Sequence, residues 1–309
     1  MASIFDRFQA GSQSAGRPPT AVELSATGAL AAAVPLSGPP VFAFAALRAG
    51  SLVPGIEETN LRAPDAVANA IRAALDPLSP RSRAITLVLP DAVVRVFMLD
   101  FDALPSKPAE AISVLRFRLR KMVPFDVEHA GISYQILSRT EIEVRVLAAI
   151  LPGPVLAEYE SSVRSAGYEP GAVLPSSLAA LESIDALEAS IAAHLSGNTL
   201  TTTISAGEDL LLYRTLELPE VHELRVAEIQ RDIAVAAAYF EDKLHVRPPR
   251  LHYAGTASRE EFAHWVDDPD MEVADLVPRP ETGLTTSLGE VNIAGVAGAL
   301  ASHVRAVAK

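Results

Sequence analysis

The chain has 309 residues, 49% hydrophobic and 21% charged, which supplies core material for one large two-lobed domain or two medium ones. A formal net charge of −12 argues against a nucleic-acid partner, which would need a basic surface to displace counterions from phosphates. With no cysteine, disulfides, thiolate chemistry and cysteine-ligated metals are excluded, which is compatible with a reducing cytoplasm.

No transmembrane helix is expected, because the apolar run Leu24 to Val34 is too short and contains Ser25, Thr27 and Gly28. Met1 to Phe8 has no basic region leading into an apolar core, so no signal peptide is expected either. Residues 1–19 read as a disordered leader, with Met1 to Phe8 either a small docking helix or a frayed terminus.

Ala21 to Pro35 reads as a strand interrupted by a small-residue turn, Ser25 to Gly28, and Val41 to Leu47 as another strand. Pro64 to Leu75 is a predicted helix with Val67, Ile71 and Leu75 on one face. Ala84 to Leu89 is a strand closed by Pro90-Asp91. Residues 92–152 read as an inserted βαββ subdomain. Its strand Val93 to Asp100 precedes a helix capped by Ser106, with Ile112, Leu115, Leu119 and Met122 as its apolar stripe. Strands Ile132 to Leu137 and Ile142 to Ile150 complete it.

Helices are predicted at Pro154 to Ala166 and Ser177 to His194. Strands then follow at Leu200 to Ile204 and Glu208 to Leu218, around the turn Ser205-Ala206-Gly207. A long helix from His222 to Leu244 leads to a strand at Arg250 to Tyr253. The order strand, small turn, strand, helix, strand thus occurs twice, which suits two related lobes facing each other across a cleft. The expected division is 20–91 plus 153–195 for the first lobe and 196–309 for the second.

The run Ser106-Lys107-Pro108 through Leu119-Arg120-Lys121-Met122-Val123-Pro124-Phe125, followed by Ile132-Ser133-Tyr134-Gln135-Ile136-Leu137, resembles the PilM family of type IV pilus systems. Further landmarks fall in the family's order: Ala21 to Ser25, Gly167-Tyr168-Glu169-Pro170, Ile204 to Leu212, Ile233 to Leu244, Tyr253-Ala254-Gly255 and Val291 to Leu300. The resemblance implies an α/β, actin-like (ribonuclease-H-like) two-lobed fold of the FtsA kind, with an inserted subdomain. It implies a scaffold that binds the N-terminal cytoplasmic peptide of PilN, a bitopic inner-membrane protein. Motor ATPases and self-association into a ring are further implied contacts. The location would be the cytoplasmic face of the inner membrane, touched only indirectly. Peptide docking in the groove between the inserted subdomain and the first lobe would involve Arg95, Phe97, Arg116 and Arg120.

An actin-like cleft needs backbone N–H groups to cradle phosphates and carboxylates to hold Mg²⁺. By that resemblance the residual nucleotide cleft comprises Glu23, Ser25, Thr27, Ser205, Gly207, Asp209 and Gly255. Glu23 stands where the family has Asp, and Ser25 and Ser205 where it has Gly. Thr203 replaces a further Asp, and Val173 to Ser177 carries no carboxylate. The alternative is that these are ordinary hairpin-turn residues. No catalytic residue is expected, and the cofactor is none or weakly bound ATP or ADP with Mg²⁺. The competing function is an active actin-like ATPase or nucleotide switch related to sugar kinases and FtsA. The seven histidines show no metal-ligand spacing, and Asp267-Asp268 with Asp270 read as a solvated turn, so no metal site is expected.

Overall fold

The computed structural model describes residues 17–57, 59–184, 188–278, 280, 288 and 291–307. Strands β1 (Thr20–Ser25), β2 (Gly28–Ala33), β3 (Val41–Ala46), β4 (Ala84–Leu89) and β8 (Glu169–Pro175) form the first sheet, in the order β3-β2-β1-β4-β8. Period-two alternation splits their side chains between two cores. Val22, Leu24, Ile85 and Leu87 face α1 (Pro64–Leu75) and α3 (Gly153–Ser165). Ala21, Leu30 and Val88 face the opposite way, onto Ala179 of α4 (Ser176–Leu181) and Val296 and Ala299 of α7 (Ala294–Ala299). Helix α1 has the predicted bounds: Pro64 suits a first turn, and Val67, Ile71 and Leu75 are fully buried. Each such side chain contributes about 1.5–3 kcal/mol.

The inserted subdomain is the antiparallel sheet β5 (Arg95–Phe101), β7 (Val144–Leu151) and β6 (Gly131–Arg139), in the order β5-β7-β6. It packs under α2 (Pro108–Leu119) through Leu115, Leu119, Val146, Ala148 and Ile150. Three details differ from the sequence reading. Ser106 makes no side-chain cap, and Lys107 occupies the cap position. Met122 lies beyond the helix end and is 40% exposed, while Phe125 is only partly buried against this core. Ile142 is 83% exposed because the Thr140 hydroxyl accepts the Ile142 and Glu143 N–H groups and closes a turn there.

The second sheet repeats the first: β9 (Ser190–Ser196), β10 (Thr199–Ala206), β11 (Asp209–Glu217), β12 (Arg250–Gly255) and β13 (Glu272–Asp275), in the order β11-β10-β9-β12-β13. In both sheets the first three strands are antiparallel and the last two join parallel to the first. Ile191, Ala193 and Leu195 face Ile233 and Phe240 of α5 (His222–Leu244) and Phe262 of α6 (Arg259–Val266). Ala192 faces Ala180 and Ala294, on the side of the first lobe.

The helix predicted over Ser177 to His194 is thus two elements, α4 and β9. Strand β9 is the middle strand of its sheet and is buried on both faces, so it shows no polar alternation. Its alanines carry a helical bias that tertiary packing overrides. The expected boundary after residue 195 therefore cuts off a strand that pairs with β10 and β12. Helix α7, expected in the second lobe, packs on the first sheet.

Of the expected leader, Arg17 pairs with Glu182 at 3.2 Å and the Pro19 carbonyl accepts the Val34 N–H at 2.9 Å. Residues 1–16, with the docking helix or frayed terminus expected at Met1 to Phe8, lie outside the described residues. The acidic run is a surface turn, with Asp270 paired to Arg247 at 2.9 Å.

Candidate functional site between the lobes

The hairpin registers identify equivalent positions in the two lobes. Ser25 pairs with Gly28 across the β1–β2 turn, and Ser196 pairs with Thr199 across the β9–β10 turn. Ser25 and Ser196 are therefore equivalent, as are Leu24 and Leu195, and Glu23 and His194. Both turns open onto one cavity of about 500 Å³, lined by Glu23, Ser25, Thr27, His194, Ser196 and Thr256 among others.

Three of the expected cleft residues lie elsewhere. Ser205 pairs with Ser190, at the opposite end of β9 from Ser196, about 20 Å along the strand. Gly207 and Asp209 close the β10–β11 hairpin at that same far end, and the positive φ of Gly207 (63°) serves that turn. The loop facing Ser25 is instead Ser196-Gly197-Asn198-Thr199. The motif that reveals it is Glu23-Leu24-Ser25 echoed by His194-Leu195-Ser196. Gly255 ends β12 beside Leu195, and a Cβ there would lie 2.2 Å from the Tyr253 hydroxyl, so it serves close packing.

Behind the cavity lies a polar network that the sequence reading missed. Asp91 Oδ2 sits 2.9 Å from His194 Nδ1, and both side chains are buried. His194 Nε2 lies 3.2 Å from Ser176 Oγ, and Ser176 donates to Glu23 Oε1 at 2.5 Å. The other Asp91 oxygen accepts the Ser177 N–H at 3.0 Å and the Ser177 hydroxyl at 2.7 Å. That leaves the Tyr213 hydroxyl to donate to Ser177 Oγ at 2.6 Å. Glu23 Oε2 is sealed from solvent although its side chain lines the cavity, and Gly295 packs against it.

Burial pushes the Glu23 carboxyl from 4.5 up to about 6, against the opposing pull of the Ser176 hydrogen bond. For His194, burial acts downward, but Asp91 and then Glu23 outweigh it and hold the imidazolium above its ordinary value. A group whose folded pKa is raised loses stability as pH climbs through that window. Glu23→Gln cannot titrate, so the stability of the native chain relative to this variant should fall by about 2 kcal/mol between pH 4.5 and about 6. Denaturant melts of both proteins across that range measure it; a constant difference would place the Glu23 carboxyl in water.

These residues do not fit a magnesium nucleotide. The cavity lining carries no lysine or arginine among the described residues, and its one carboxylate is committed to Ser176. His194 stands where the lobe symmetry would place a second carboxylate. Among the described residues no cluster of three His, Asp or Glu side chains could hold a metal ion. Ser25 Oγ is engaged within its own turn, with Thr27 Oγ1 at 2.9 Å and the Gly28 carbonyl at 3.3 Å.

A second opening, of about 450 Å³, lies where edge strand β5 packs beside edge strand β11, through Val96, Met98, Leu210 and Tyr213. Among the described residues no ladder joins these strands. Arg95 and Phe97 line it, with Leu212 and Tyr239 opposite. Arg95 donates to the carbonyls of Ala92 and Val94. Arg116 and Arg120 are not in this groove: Arg116 donates to the Glu128 and Val127 carbonyls, and Arg120 pairs with the Glu128 carboxylate. They tie α2 to its following loop. The groove is bounded by the second lobe, not the first.

No helix of the described residues is long and apolar enough to cross a membrane. No family model and no curated protein matches the sequence. Solved structures do match. A PilM-PilN type IV pilus biogenesis complex is 16% identical with a TM-score of 0.67, over 94% of this chain and 98% of that one. The cytoplasmic domain of EpsL, an inner-membrane component of the Vibrio cholerae type II secretion system, is 12% identical with a TM-score of 0.50, over 94% and 95%. A Bacteroides thetaiotaomicron protein with an actin-like ATPase fold and unknown function is 14% identical with a TM-score of 0.50, over 82% and 90%. Together with the repeated sheet topology and the inserted βαββ unit, these likenesses establish the fold: the chain has the actin-like, two-lobed architecture seen in PilM.

Proposed function

We propose that this chain is a scaffold of a pilus or secretion assembly machine, which binds an extended segment of a PilN-like membrane protein in the groove lined by β5 and β11. The observation that carries the reading is the open groove lined by edge strands β5 and β11, which pack side by side without forming a ladder. Unpaired edge N–H and C=O groups recruit an added strand, and side-chain pockets along it give specificity. Phe97 and Tyr239 supply apolar surface and Arg95 a cation. The likeness to a PilM-PilN complex and to a type II secretion component supports this class of role. In this reading the protein works at the cytoplasmic face of the inner membrane, and motor ATPases or further copies of the chain dock on other surfaces. Weak ATP or ADP binding in the interlobe cavity, as a switch without turnover, is the second reading, favoured only by the two hairpin turns that open onto it.

Hydrogen exchange with a synthetic N-terminal peptide of a PilN-like protein tests the groove. Protection is expected on β5 and β11, and Phe97→Ala or Tyr239→Ala should each weaken affinity about tenfold. Protection elsewhere, with both variants at native affinity, would remove the groove from the interface.

A further inference from the structure

We propose that a single proton held on the Glu23–Ser176–His194 chain latches the two lobes together, so that the cleft carries its own cation and loosens when that proton leaves.

Glu23, Ser176 and Asp91 belong to the first lobe, and His194 to the second. An ionised Asp91 or Glu23 only accepts hydrogen bonds, and Ser176 has one hydroxyl hydrogen. Ser176 gives that hydrogen to Glu23 Oε1, so its contact with His194 Nε2 needs a ring N–H there. The His194 Nδ1 contact with Asp91 Oδ2 needs a ring N–H as well. Every contact is met when His194 is an imidazolium. It is met equally when the proton sits on Glu23, which then donates to Ser176 while Ser176 donates to a neutral ring. Once the proton goes to solvent, Ser176 can satisfy only one of its two neighbours, and a buried acceptor between the lobes loses its partner.

Among the described residues the surroundings offer no substitute cation. Asp91 faces His194 from the turn after β4, Glu23 from β1, and Tyr213 of β11 reaches Asp91 through Ser177. Thr201 of β10 and Ala254 of β12 flank His194 in register, and α7 presents only Ala, Gly and Val. The proton thus lies between two buried carboxylates, Glu23 and Asp91.

The chain has no cysteine, so Ala66→Cys on α1 and Ala234→Cys on α5, both exposed, give one spin label per lobe without background. Interlabel distances would be measured by pulsed electron resonance from about pH 6 to about pH 10, with the histidine rings followed by NMR in the same samples. A single narrow distance is expected while His194 is protonated, then a shifted and broadened one after it titrates. With His194→Gln the distribution should not change with pH. A native distribution that stays constant through the His194 titration would overturn the latch, as would a native-like pH response in the Gln variant. Should that variant fail to fold, the titration of the native residue decides alone.

Discussion

Asp91→Ala is expected to lower stability by about 3–5 kcal/mol in denaturant melts, among the largest effects of any single truncation in this chain. The carboxylate faces His194 Nδ1 at 2.9 Å as an ion pair and accepts from the Ser177 backbone and hydroxyl, all out of contact with water. Its removal strands a buried imidazolium and leaves two donors unmatched. Asp91→Asn should fall between native and Ala, because an amide oxygen can still serve Ser177 while the charge is lost. A cost of less than about 1 kcal/mol for the Ala variant would mean that water reaches this network and that the donor count fails.

Gly298→Ala is the second expected large effect, at about 1–3 kcal/mol or more. A Cβ on residue 298 would lie 1.9 Å from the Ala179 carbonyl oxygen and 3.0 Å from the Ala180 Cα. Both are backbone atoms of α4, so no rotamer change relieves the clash. Helices α4 and α7 would have to separate, opening the face of the first sheet that carries Glu23. Neighbouring Gly295 abuts Glu23 Oε2 and Ser176 Oγ, so strain at this crossing should reach the polar network. Native-like melting of the variant would contradict the close backbone crossing of these helices.

The parts of the fold that follow simple periodicity are legible in the sequence. Helix α1 could be read to the residue from Val67, Ile71 and Leu75, and α5 from its spaced apolar side chains. The βαββ insertion was legible because α2 buries one stripe, with Leu115 and Leu119, against strands rich in β-branched residues. Strand β9 was not, because Ser190 to Leu195 is buried on both sides and built largely of small residues. Missing it shifted the second lobe by one strand, which sent the expected loop to Ser205 and Gly207 and hid His194 inside a helix. The partners Asp91, Ser176 and His194 are widely separated in the chain, and only the interleaving of the two sheets brings them together. Arg116 and Arg120 look like a free basic face in sequence, yet the turn after α2 folds back and gives them carbonyls and Glu128 as partners.

The scaffold reading and the self-filled cleft make one joint claim: the partner site works without nucleotide. Calorimetric titration of the full chain with a synthetic N-terminal peptide of a PilN-like protein, with and without Mg-ATP, tests it most directly. Micromolar peptide binding is expected, on the order of −8 kcal/mol, unchanged by Mg-ATP, with no heat from Mg-ATP alone. Peptide binding that requires Mg-ATP, or Mg-ATP binding with no peptide affinity, would contradict it.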